Sequence, residues 1–121
     1  MAQSAGIFGG SGTINVLGDF NWTGGTIAGT GDLNLTTATA TAFNGNLTQN
    51  GMTVNSSLFN LTAGSSYDMS SGALATTGAI TITGDFNWAG GQISAVTNTN
   101  IDPTGQLSIT GNNTLTTSNL N

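Results

Sequence analysis

The 121-residue chain has no Lys, Arg, His or Cys and a single Pro, and its five acidic residues are all aspartates, at 19, 32, 68, 85 and 102. At 4% charged residues it lies far below the roughly 25% of ordinary globular domains. Each absence excludes something. With no cation to neutralise phosphate and a formal net charge of −5, nucleic acid is not an expected partner. A polybasic membrane-surface site is excluded on the same ground. Without His, Lys or a thiol, most acid–base and nucleophilic chemistry lacks its side chains, so no enzyme and no cofactor is expected. Lacking Cys, the chain has no disulfide framework and its redox compartment cannot be read. Proteases that cut after Lys or Arg have no site, which fits an extracellular life. No apolar run approaches the roughly 18–20 residues of a membrane span, and Met1-Ala2-Gln3-Ser4 carries neither a basic nor an apolar leader signature. Membrane insertion is therefore not expected.

What is present is a repeat. Residues 12–29, GTINVLGDFNWTGGTIAG, align with 78–95, GAITITGDFNWAGGQISA, at ten of eighteen positions and an offset of 66. That offset is too long for a single turn of a solenoid. Four Phe-Asn pairs, at 20, 43, 59 and 86, are spaced 23, 16 and 27 apart, and a further unit, Gly105–Ile109, follows about one step later. These blocks are read as successive windings, five to six coils of about 20 residues in one domain spanning 1–121.

Within the units apolar and polar residues alternate, as in Thr13-Ile14-Asn15-Val16, Ile80-Thr81-Ile82 and Leu107-Ser108-Ile109. Period two places one set on the inner face of short strands and Asn, Thr and Ser on the outer. The expected core is Ile14, Phe20, Trp22, Phe43, Phe59, Leu61, Ile80, Phe86, Trp88, Leu107 and Ile109. Gly24, Gly25, Gly90 and Gly91 are the expected turns. A scarcity of strong helix formers other than Ala and Leu disfavours helix. The architecture expected is an all-β parallel solenoid. A sandwich, the competing answer, would show hairpin signals every 8–12 residues and gives no reason for Gly-Asp-Phe-Asn-Trp to recur. Stacking also accounts for the missing charge, because like charges would form repelling columns whereas Asn, Thr and Ser can form hydrogen-bonded ladders.

The run GDFNWTGGTIAGTGDLNL (18–35) and its echo GDFNWAGGQISA resemble the W-(T/S)-G-G-x-I-x-G-x-G-x-L repeats of very large bacterial surface and secreted proteins. Those proteins are similar to autotransporter passengers and filamentous-haemagglutinin-type adhesins. The resemblance covers both copies well and the middle loosely. It implies a right-handed parallel β-helix, an extracellular or cell-surface location and a structural or adhesive role, with no catalytic residues to carry over. The chain is shorter than those proteins, and is read either as a piece of such an array or as a unit that rebuilds one by association.

Other constellations have plainer readings. Asp19 and Asp85 occupy the same place in the sequence repeat, but three windings would set them roughly 14 Å apart, beyond the 5–9.5 Å of a glycosidase pair. Gly9-Gly10-Ser11-Gly12-Thr13 mimics a calcium nonapeptide, with Ile14 where that pattern needs Asp. Trp22 and Trp88 are candidate sugar platforms, but each shares a strand face with a Phe and reads as core. Thr36–Thr41 alternates Thr and Ala as on ice-binding solenoids, without a repeat in other coils. Asn-x-Thr sequons such as Asn46-Leu47-Thr48 are frequent by composition alone.

Both terminal stretches are β-prone and uncharged, without an evident cap. The expected function is a non-enzymatic extracellular unit that stacks end to end into a filament or matrix fibre, or forms the rod of an adhesin. Copies of itself are the expected partner, with host or matrix polysaccharide second. A carbohydrate- or ice-binding module is the alternative.

Overall fold

The computed structural model describes all residues except Thr37, Thr39, Ala40 and Asn112, together with the side chain of Val96. The alternating segments become twelve strands: β1 (Ala2–Gln3), β2 (Ile7–Gly10), β3 (Thr13–Asn15), β4 (Phe20–Asn34), β5 (Thr41–Ser56), β6 (Phe59–Leu61), β7 (Ser66–Thr76), β8 (Ile80–Ile82), β9 (Asp85–Trp88), β10 (Gly91–Ile101), β11 (Gln106–Ile109) and β12 (Asn113–Leu120). Every strand pairing among the described residues is parallel. The chain winds as a β-solenoid of about six turns, each stacked on the last.

Each winding crosses three ladders. The first runs Gln3, Trp22, Phe43, Leu61, Ile82, Ile101. The second runs Phe8, Ile27, Gln49, Met69, Trp88, Ile109. The third runs Ile14, Leu33, Val54, Leu74, Ile93, Leu115. β4, β5 and β10 are long because they continue around corners, where register shifts such as Trp22/Gly24 and Gly29/Asp32 mark the bends.

The recurrent Phe-Asn blocks do belong to one parallel sheet, but they do not stack on one another. Phe20 and Phe59 share a column of the first ladder; Phe43 stands two residues further on, beneath Leu61. Phe86 lies on the second ladder, over Tyr67. Asp19 and Asp85 consequently occupy different places, Asp19 at a corner before β4 and Asp85 at the start of β9 on the second ladder. The 66-residue offset is three windings plus one ladder.

The interior is apolar and aromatic. Phe20, Trp22, Phe43, Phe59, Tyr67 and Phe86 are fully buried and meet across the first and second ladders. Ring centroids are 5.4 Å apart for Trp22–Tyr67, 4.5 Å for Phe43–Phe59 and 4.8 Å for Tyr67–Phe86. Such contacts each add about 0.5–1.5 kcal/mol beyond area burial.

One corner is built on a glycine column: Gly10, Gly29, Gly51, Gly72 and Gly91. Four of these have positive φ, from +92° at Gly72 and Gly91 to +126° at Gly29. A Cβ on Gly51 would come within 2.2 Å of the Gly29 carbonyl oxygen, and one on Gly72 within 2.2 Å of that of Gly51. Left-handed backbone and close approach both require glycine here. Gly51→Ala is expected to destabilise by about 2 kcal/mol or more, read as a lowered urea midpoint. Gly12→Ala, with open space around its Cβ, should change stability by less than about 0.5 kcal/mol.

Candidate functional site

Of the expected core, Phe20, Trp22, Phe43, Phe59, Leu61, Ile80, Phe86 and Trp88 are buried. Ile14 and Leu107 are half-buried in the first and last windings. Ile109 is 54% exposed, because no further stretch covers it on its ladder. Gly24 and Gly25 lie inside β4 at a bend, with Gly25 at φ +85°; Gly90 and Gly91 form the equivalent bend after β9. With both indoles in the interior, neither Trp22 nor Trp88 offers a platform to sugar. The Thr36–Thr41 row falls largely on Thr37, Thr39 and Ala40, outside the described residues.

The outer surface carries hydrogen-bonded columns. Asn34 Nδ2 donates to Asn15 Oδ1 at 2.9 Å, and Asn55 Nδ2 to Asn34 Oδ1 at 2.8 Å. Asn119 donates to Asn98 and Asn121 to Asn100 in the same way. Ser66 to Asn46, Ser71 to Asn50 and Asn87 to Asp68 follow the same direction. In all seven the later winding donates to the earlier, so the columns are polar along the axis.

Among the described residues no aspartate sits over another. Asp32 lies between Thr13 and Thr53, Asp68 between Thr48 and Asn87, and Asp85 between Ser66 and Gln106. Stacked carboxylates at strand spacing would repel by about 1 kcal/mol even at the dielectric constant of water. Among the described residues no three His, Cys, Asp or Glu side chains gather where they could hold a metal ion, and no helix is long and apolar enough to cross a membrane.

Polar groups inside are few and partnered in a recurring way. Tyr67 donates its hydroxyl to Gln49 Oε1, while Gln49 Nε2 donates to the carbonyls of Ala73 at 2.8 Å and Met52 at 3.1 Å. At the corner after the third ladder, Ser56, Thr76 and Thr117 share one column. Each donates its hydroxyl to the carbonyl two residues on. Sequence pattern alone misses these, since a polar residue at an inward position breaks the alternation instead of extending it. Missed too is the glycine corner, although its spacings of 19, 22, 21 and 19 are the winding period itself.

What remains distinctive is the two ends. The first winding exposes Met1 (48%) and the last exposes Ile109 (54%) and Leu120 (56%), in columns that are mostly apolar but also hold Thr41 and Thr99, or Gln49. A shallow groove of about 290 Å³ beside Leu35, Ser56, Leu58 and Asn60 holds no charged group. No protein-family model, curated protein or solved structure matches this chain.

Two predictions arise from the interior. Burial pushes the Tyr67 hydroxyl well above its ordinary value of 10.0. The unfolded chain therefore loses that proton first, and stability present below pH 10 falls as pH rises above it. Tyr67 is the only Tyr, in a chain without Lys, Arg or Cys. Denaturant unfolding should thus show a slope of about 1.4 kcal/mol per pH unit above pH 10, which Tyr67→Phe flattens. Second, Trp88 Nε1 donates to the Gly90 carbonyl at 3.1 Å, whereas the buried Trp22 Nε1 has no acceptor among the described residues. Trp88→Phe should cost about 1–2 kcal/mol more than Trp22→Phe, measured by the same titration.

Proposed function

We propose that this chain is a non-enzymatic structural rod that lengthens by adding windings at its ends, as an extracellular filament or as the shaft of a surface adhesin. The observation that carries this reading is the outer surface, whose side chains bond from winding to winding along the axis rather than converging on a pocket. The absence of Lys and Arg suits an extracellular protein exposed to trypsin-like proteases. Adhesion to host or matrix polysaccharide would then be a property of the rod's outer face.

Negative-stain microscopy of the purified 121-residue chain tests the reading. Unbranched filaments of constant width are the expected result. Discrete short particles at every concentration would overturn self-assembly and leave only a shaft segment within a longer chain.

A further inference from the structure

We propose that the chain carries a self-cleavage site at the Asp102–Pro103 peptide bond, where the Asp102 carboxyl group attacks its own backbone carbonyl and the bond to proline breaks. The proposal is independent of the rod reading, since it concerns a single corner, between β10 and β11.

The sequence supplies one such bond. Pro103 is the only proline, and the other four aspartates precede Phe20, Leu33, Met69 and Phe86. Asp32, Asp68 and Asp85 lie within β4, β7 and β9, and Asp19 leads directly into β4. The amide nitrogen after Asp102 differs from those four. It carries no hydrogen, so no ladder bond fixes it. Its amide is tertiary, and the nitrogen takes up a proton more readily as the bond breaks.

The corner is arranged for the attack. Asp102, Pro103 and Thr104 are exposed, so water and acid reach them. The Gly105 N–H donates to the Asp102 carbonyl oxygen at 2.8 Å. That is the oxygen on which negative charge develops when the carbonyl carbon is attacked. The side chain is held as well: Thr104 donates its backbone N–H and its hydroxyl to Asp102 Oδ1 at 3.1 and 3.0 Å. Both bonds fall on Oδ1, and Oδ2 has no partner among the described residues. Each flank is fastened to the preceding winding, Asp102 N–H to the Ile82 carbonyl at 2.9 Å and Gln106 N–H to that of Gly84 at 3.0 Å. Orientation is therefore supplied before the reaction starts. The strands flanking the corner, β8, β9 and β12, hold one titratable side chain, Asp85, which is paired with Gln106. With no basic side chain in the sequence, Thr104 alone positions the carboxyl group.

In the step, Oδ2 bonds to the Asp102 carbonyl carbon, the carbon–nitrogen bond to Pro103 breaks, and a proton from solvent acid passes to the departing nitrogen. Water then opens the cyclic anhydride left on Asp102, restoring the side-chain carboxyl and leaving a second carboxyl at the new chain end. Water is the only reactant consumed. Because β11 stays paired with β9 and β12 with β10, the two pieces remain seated together until the fold is disrupted.

Incubation of the 121-residue chain in mildly acidic buffer, with intact masses read under denaturing conditions, tests the proposal. Fragments 1–102 and 103–121 are expected, forming at least about tenfold faster in the folded chain than in the same buffer with unfolding urea. Asp102→Glu keeps the charge but not the ring size and should abolish the fragments, as should Pro103→Ala. Thr104→Val should slow cleavage severalfold, and Thr104→Ser, which keeps the hydroxyl, should retain the rate. Equal rates in folded and unfolded chain, or an unchanged rate in Thr104→Val, would reduce the site to the ordinary acid lability of its bond and overturn a built site. A folded chain that yields neither fragment would overturn cleavage altogether.

Discussion

In-register parallel stacking is the constraint on which this molecule depends: whatever stands at a position stands directly above and below its counterpart, one strand spacing away. A favourable contact is multiplied along the axis, and so is an unfavourable one. Apolar columns become a continuous core. The aspartates survive only because none occupies a position whose neighbour is also charged. The composition, with no basic residue and few acids, is what this arithmetic leaves behind. Asn, Ser and Thr are retained because each can be donor to one winding and acceptor for the next.

The same constraint explains the corners. A chain that closes a winding in 18 to 22 residues must bend sharply at the same place each time, and the carbonyl of the winding below is then pressed against the bend above. Only glycine can stand where a Cβ would meet that oxygen at 2.2 Å. The corner after the third ladder solves the problem differently. There Ser56, Thr76 and Thr117 turn inward and bond the carbonyl two residues on, so side-chain oxygen does the work of local hydrogen bonding.

Much of this was legible in the sequence, but not all of it from the right residues. Alternation in Ile80-Thr81-Ile82 and Asp85-Phe86-Asn87-Trp88 is local, and it led directly to short strands with a defined inner face. The Phe-Asn blocks were a poorer guide. Their mean spacing approximates the winding, yet Phe86 sits one ladder away from Phe20, because sequence similarity reports an equivalent environment and not a shared column. Gly10, Gly29, Gly51, Gly72 and Gly91 carry the true period, since a steric requirement repeats with the geometry while an apolar residue can be replaced by another. Gln49 could not have been placed inside by pattern. Its burial depends on Tyr67 from the next winding and on carbonyls of Met52 and Ala73, a coincidence of partners visible only in three dimensions.

Equivalence between ladders has a consequence for how the sequence of such a solenoid can be extended. If each ladder demanded its own residues, a sequence could be extended only by whole windings, and every inserted residue would shift the register of all that followed. Because inward positions on one ladder suit the next, a block of three windings and one ladder can recur without disturbing its neighbours. The interior tolerates this since Phe, Trp, Ile, Leu and Met fill it by volume and not by a fixed partner. The specificity that remains lies in the glycine bends and the polar columns, which fix where the chain turns and which direction it runs. A solenoid of this kind is constrained in direction and in corner position, and permissive in what fills it.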